Sequence, residues 1–365
     1  MVTSERKDDM IELKKNALNF TFPEVHPDAQ LTMTFERTLR IPDTDETYAL
    51  PPSLGTFPLR HVDDYRSNIP PSWHEHGGVM MPMFQSEAMW INFSSKDVDD
   101  RGEYCFIVKI ATGKVNAVTG EDWLDSVNRA PQDYLVVPTQ PWLDGYCVEK
   151  GTIRQFVAMP LGAGYTAEEQ VTGEAEVGGV QIVVYPMKRK VFQRRFPVRR
   201  SRKLSRTVYD TSGGWKAHVP YDAMLMEKRD DEAVHMDMGL APGGKMRQEI
   251  YDDPYKLEDW DLRHRSRCFV HLANSMTWRA VTGTEPPTKP PTAKEYSAGG
   301  LPWFDYYAET PAVDGGGALG ESLKSVAQVS AEKGDALFSE EKSVVPTVVR
   351  GVGPAQRSGG RVREW

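Results

Sequence analysis

Cysteine is scarce in this chain. Cys105, Cys147 and Cys268 are the only three in 365 residues, far apart and with no CxxC pair. An odd, scattered set excludes a disulfide framework and fits small buried residues in a reducing compartment. Long apolar runs are also missing. No stretch approaches about 18 uncharged apolar residues, so the sequence predicts no membrane-spanning helix. The opening MVTSERKDDMIELKK lacks an apolar segment and does not read as a signal peptide. The expectation is a soluble, cytoplasmic protein. Hydrophobic residues make up 39% of the chain, low enough to predict some tail or linker. The formal net charge of −8 argues against broad coating of nucleic acid.

One run breaks this acidic background. Residues 188–206, KRKVFQRRFPVRRSRKLSR, hold ten Lys or Arg and no Asp or Glu. Lys188, Arg189, Lys190, Arg194, Arg195, Arg199 and Arg200 are its anion-binding candidates. Phe192 and Phe196 lie among them, a mixture that suits single-stranded nucleic acid or anionic lipid. Two other readings stand beside this one. Residues 227–261 carry eleven acidic and five basic side chains, so the run can pair within the chain or across a subunit contact. It can also be a solvated linker.

Strand signals dominate the rest. A short charged helix is predicted over 5–18. Leu31, Met33 and Phe35 alternate with polar residues, the period of a half-buried strand. Strands follow at 84–93, 104–110, 134–137, 146–148, 153–159 and 181–187, the last apolar on both faces and so central. Thr112-Gly113 and Lys150-Gly151 mark hairpins. Val234, Met236, Met238 and Leu240 alternate with His235 and Asp237. Residues 267–279 fit strand or helix. Pro286, Pro287, Pro290 and Pro291 make a rigid spacer. Leu319, Leu323 and Val326 have helical spacing, with Gly334 as C-cap. The prediction is a β-rich α+β fold, an antiparallel sandwich or barrel-like core with a few short helices and a disordered C-terminal tail. Its parts are an N-terminal extension (1–28), one β-rich domain (29–310) with a basic insertion or linker at 188–215, and a short helix plus tail (311–365).

Four motifs carry chemistry, each with a plainer reading beside it. Residues 239–246, GLAPGGKM, fit G-x-x-x-x-G-K, but Met246 replaces the magnesium-binding hydroxyl; a hairpin turn at Pro242-Gly243-Gly244 competes. Gly162 and Gly164 precede a capping box at Thr166 and Glu169, a turn that can offer amides to an anion or simply need positive φ. His74 and His76, on a strand, point the same way and with Glu87 could bind zinc or iron. Gly77-Gly78 and the distance to Glu87 favour instead a solvated loop beside Met80, Met81, Met83 and Met89. His235 and Asp237 pair as base and orienter or simply line a wet strand face. No GxSxG elbow or HExxH helix accompanies them.

Several segments look familiar in order: FPLRHVDDY (57–65), EAMWINF (87–93), QDYLVVPTQPWLDG (132–145), IRQFVAMPLGAGYTAEEQVTGE (153–174), GGVQIVVYPMK (178–188), MGLAPGGKMRQEIY (238–251) and GLPWFDYY (300–307). Over residues 30–310 the chain resembles a family of uncharacterised microbial proteins, some labelled integral membrane proteins. The resemblance implies no activity, and its membrane label conflicts with the missing span. It does mark Trp142, Asp144, Arg154, Gln155 and Trp303 as ligand-binding candidates. A packed turn with Asp144 bonding backbone is the alternative at 142–145.

No complete catalytic constellation, catalytic residue or cofactor emerges. The leading expectation is a non-enzymatic protein that binds or self-associates. The second is a small-ligand or metal-binding enzyme with a pocket near 74–89 and 142–155. The third is an anionic partner, including nucleic acid, at 188–206.

Overall fold

The computed structural model describes residues 11–51, 53–198, 237–289, 311–315, 319–320 and 323–334, and the backbone of 359–362. The first element corrects the predicted helix. Ile11 and Leu13 are buried while Glu12 and Lys14 are exposed, so period two wins. β1 (Ile11–Lys14) turns back into β2 (Ala17–Thr21) through Lys15-Asn16, both at positive φ. Residues 11–21, expected in an extension, are thus part of the main sheet.

The chain continues through β3 (Gln30–Thr38), β4 (Thr47–Tyr48), β5 (Arg60–His61), α1 (Pro71–His76), β6 (Val79–Pro82) and β7 (Ala88–Ser95). Next come β8 (Asp97–Val98), β9 (Gly102–Glu103), β10 (Phe106–Thr112), β11 (Val115–Asn116), β12 (Leu135–Val137) and β13 (Trp142–Leu143). β14 (Gly145–Glu149) and β15 (Thr152–Pro160) precede α2 (Ala167–Thr172), β16 (Val180–Pro186) and α3 (Arg189–Arg195). β17 (Met238–Arg247), β18 (Ser266–Ala273), α4 (Ser275–Thr282), α5 (Val326–Lys333) and β19 (Gly359–Val362) complete the described elements.

Both predicted hairpins form, β10–β11 around Gly113 and β14–β15 around Lys150-Gly151. The ambiguous 267–279 stretch holds both structures, strand β18 and then α4 capped by Asn274. α5 begins after the Ser325 cap and ends at Gly334, with Leu319 and Leu323 buried ahead of it. Among the described residues, 359–362 of the expected tail add β19 to the edge of β1.

Ten strands make one sheet in the order β19-β1-β2-β3-β7-β15-β17-β4, with β13 on β7 and β14 on β15. Seven make another, β11-β10-β16-β18-β6-β5, with β12 on β10. Pairing is antiparallel except at β4–β17 and β6–β18. Neither sheet closes into a barrel. Phe20, Phe35 and Phe156 of the larger sheet share one apolar cluster with Phe106, Ile182 and Val270 of the smaller. Each such side chain contributes about 1.5–3 kcal/mol by leaving water. β16 lies between β10 and β18 and is buried throughout, as its largely apolar run predicts. Among the described residues no helix is long and apolar enough to cross a membrane.

Candidate functional site

The residues marked by the resemblance are brought together, but their polar atoms are spent inside the fold. The Asp144 amide donates to Gln248 Oε1 (3.0 Å), and Gln248 Nε2 donates to Asp144 Oδ2 (2.9 Å). Burial pushes the Asp144 carboxyl up to about 8, against the Gln248 bond. Gln155 is fully buried; its amide accepts from Ile41 N (3.0 Å) and donates to Leu39 O (2.9 Å). Arg154 donates to Gly243 O (3.1 Å); burial lowers its pKa, while the charges of Asp43 and Asp45 work to raise it. Trp142 packs edge-on to Trp90 at 6.4 Å. Residues 142–145 are packed, as the alternative has it, but as strands β13 and β14, and the Asp144 carboxyl bonds the Gln248 side chain and not backbone. Trp303 lies outside the described residues.

The metal expectation needs correction. Pro71 at the first helical position starts a helix, so His74 and His76 sit on α1 and not on a strand. Residues two apart on a helix do not face each other. His74 is exposed, and the His76 ring lies on Phe269 at 4.7 Å. Glu87 is buried elsewhere, 3.3 Å from Arg37 Nε, its carboxyl raised to about 7 chiefly by burial. Among the described residues no three His, Cys, Asp or Glu side chains gather as a metal site requires. Asp237 accepts from Trp73 Nε1 (2.9 Å); His235 lies outside the described residues.

The glycine motifs resolve differently. Gly162 and Gly164 have positive φ, and α2 carries the predicted capping box. The amides of Gly164 and Thr166 do hold an anion, but it is the Glu169 carboxylate, at 2.6 and 3.1 Å. GLAPGGKM is neither phosphate loop nor hairpin turn. It is strand β17, with a register shift opposite Gln155. A Cβ on Gly244 would stand 2.3 Å from Pro42 O, so glycine here permits a close backbone approach.

The first part of the basic run is α3. Its phenylalanines turn inward: Phe192 is fully buried, 4.3 Å from Tyr104 and 5.0 Å from Phe196. Arg195 bonds Asp259 at 2.7 Å, with Arg194 3.7 Å from the same carboxylate. Lys188 donates to Glu258 O at 2.8 Å. Burial works to raise the Asp259 carboxyl, but the Arg195 bond, the Lys256 amide and the Arg194 charge hold it below its usual value. Part of the run therefore pairs with the acidic 227–261 stretch. Arg189 and Lys190 are exposed, and Arg199 and Arg200 lie outside the described residues.

A cleft that the sequence did not announce lies on the outer face of the smaller sheet. Register places Ala111, Gln181 and Phe269 on one rung of β10-β16-β18, and Lys109, Val183 and Arg267 on the next. Side chains two apart on a strand share a face. At one end α1 and α4 cover this face, packing Trp73, Trp278 and Val281 on Met80 and Ala273. At the other end lies the loop 122–133, tied down by a buried cation. Lys109 Nζ donates to Leu124 O and to Asp133 Oδ2, both at 2.8 Å, and to Ser126 O. Arg267 adds a 2.6 Å bond to Asp125. The third wall is the end of α2 and the turn after it, fixed by Glu168, which accepts from Val177 N (3.1 Å) and Gly178 N (2.8 Å).

The space between these covers is about 710 Å³. His76, Lys114, Asp122, Trp123, Thr172 and Gln181 supply its polar lining; Val171 and Val177 are apolar. Gln181, 3% exposed, donates its amide N–H to Gly113 O at 2.7 Å. Its amide oxygen is buried with no donor, and the Trp123 indole N–H is buried with no acceptor. A buried polar atom without a partner costs about 1–3 kcal/mol. The two residues line one cleft, and their atoms are complementary, one an acceptor and one a donor. At the rim Lys114 bridges Glu174 (3.1 Å) and Glu176. Hydrogen bonds donated to Glu176 and Glu174 hold the Lys114 pKa above its ordinary value. Beneath His76 the aromatic layer runs on: Phe269 lies 4.3 Å from His271, and His271 4.7 Å from Trp73. His271 Nε2 is 3.0 Å from Gly77 O, and burial lowers this imidazole to about 3.

These residues come from four separate segments, so no spacing could have joined them. The one local signal was Gln181, an amide within an apolar run. The chain matches no family model, no curated protein and no solved structure.

Proposed function

We propose that this is a non-enzymatic, cytoplasmic binding protein that takes a small polar ligand into the cleft over Gln181. The observation that carries the reading is the Gln181 amide oxygen, buried at the cleft floor with no protein donor. Such an atom calls for a donor from outside the fold. The Trp123 N–H, in the same lining, makes the complementary demand. Both atoms are covered in this conformation, so the ligand displaces rim side chains as it enters. The volume falls within the ~300–1,000 Å³ of small-molecule sites. Cytoplasmic placement rests on three free, buried cysteines.

A fragment library screened by NMR on the full chain, read at the Trp123 indole N–H, tests this. Bound fragments shift that resonance, and Gln181→Leu weakens them. A library that leaves the indole signal unmoved sinks the proposal.

A further inference from the structure

Resting on that reading, we infer that the ligand is a neutral saccharide. Among the lining residues, Gln181 Oε1 asks for a donor and the Trp123 N–H for an acceptor. A sugar carries several hydroxyls, each able to donate and accept, so one molecule can meet both demands. Asp122 at the wall offers a further acceptor for a hydroxyl, and Val171 and Val177 offer apolar surface to the ring's C–H faces.

Charge argues against the anionic alternative. The cleft's lysine, Lys114, is already bridged to Glu174 and Glu176, and Asp122 adds a further negative charge. A phosphate or carboxylate entering here meets an acidic surround with its cation occupied. Ring geometry argues against a nucleobase. His76 and Phe269 stack on each other at 4.7 Å, with planes 9° apart, so they leave no slot between them. The Lys109 ammonium stands 5.1 Å from the Trp123 ring centre and occupies one of its faces.

The test is titration of the full chain with glucose, N-acetylglucosamine and maltose, and in parallel with uridine, inorganic phosphate and putrescine. Binding is read by calorimetry and at the Trp123 indole N–H. The expected result is that at least one saccharide binds and shifts the indole signal. Gln181→Leu then weakens it about tenfold, the scale of one hydrogen bond. Trp123→Phe, which keeps the ring and loses the N–H, does the same should Gln181→Leu fail to fold. If uridine, phosphate or putrescine shifts the indole and no saccharide does, the saccharide inference falls and the cleft remains a ligand site. If neither these probes nor the fragment library moves the signal, the cleft reading falls with it. A saccharide that binds both variants as well as the parent lies elsewhere, and that also overturns the inference.

Discussion

The Lys109 ammonium stands 5.1 Å from the centre of the Trp123 ring and 2.8 Å from the Asp133 carboxylate, on a side chain that is 1% exposed. One buried cation thus fixes both the loop over the sheet and the aromatic wall of the cleft. Lys109→Met keeps most of the bulk but leaves Asp133 buried and unpaired. The expected loss is about 3–5 kcal/mol. Adding Asp133→Asn recovers part of it by removing the stranded charge. Urea unfolding midpoints of the two variants check this; equal losses would refute it.

Gly145 faces the backbone of β15. A Cβ there would stand 1.9 Å from Arg154 O, and a carbonyl in a paired strand cannot swing away. Gly145→Ala is expected to cost at least the ~1–3 kcal/mol of ordinary overpacking. Gly173→Ala is the control. Nothing lies within 4 Å of its Cβ, so only the positive φ of 75° is penalised. That costs roughly 1–2 kcal/mol. Thermal melts should rank Gly145→Ala below Gly173→Ala.

His271 gives an acid limb to the stability profile. Burial is the main cause of its drop to about 3; the Gly77 bond opposes it and His76 adds to it. An unfolded imidazole titrates near 6.5. Between those values the unfolded chain takes up a proton that the fold refuses, so stability declines as pH falls through that window. His271→Gln retains a donor for Gly77 O and flattens the decline. Melting temperatures at about pH 7 and about pH 4.5 should differ less in the variant than in the parent.

Asp144 tilts the profile the other way. Its carboxyl is raised to about 8, so the fold keeps a proton that the unfolded chain gives up near 4. Stability from this group is complete at low pH and is lost as pH rises through about 8. Asp144→Asn retains an acceptor for Gln248 and removes the ionisation. The variant should gain on the parent between about pH 5 and pH 9; parallel melting curves across that range would contradict this.

Much of the scaffold was legible because its signals are local. Alternation gave β3, a largely apolar run gave β16, and Gly113 and Gly151 gave two hairpins. The opening hairpin was missed because its charged residues suggested a helix, although Ile11 and Leu13 already alternate with Glu12 and Lys14. His74 and His76 were misplaced because Pro71 starts a helix where a strand was expected. The Gly-rich GLAPGGKM hid a strand, since Gly243 and Gly244 answer to Val157 and Pro42, far off in sequence, and not to their own neighbours. The cleft is illegible for a related reason. Gln181 and Trp123 acquire their meaning only when β16 and the loop 122–133 meet over one sheet face.

The fully buried amide of Gln155 takes a hydrogen bond from Ile41 and returns one to Leu39, at the point where β15 slips its pairing with β17. A side chain there imitates a peptide unit, and the imitation tolerates few alternatives. Glutamate can only accept when ionised, lysine can only donate, and asparagine is one methylene short. Position 155 should therefore be intolerant of nearly every exchange on grounds of folding alone. A mutational scan scored on function alone would mark it as an active-site residue, and pairing that scan with a readout of folded protein would show the true cause.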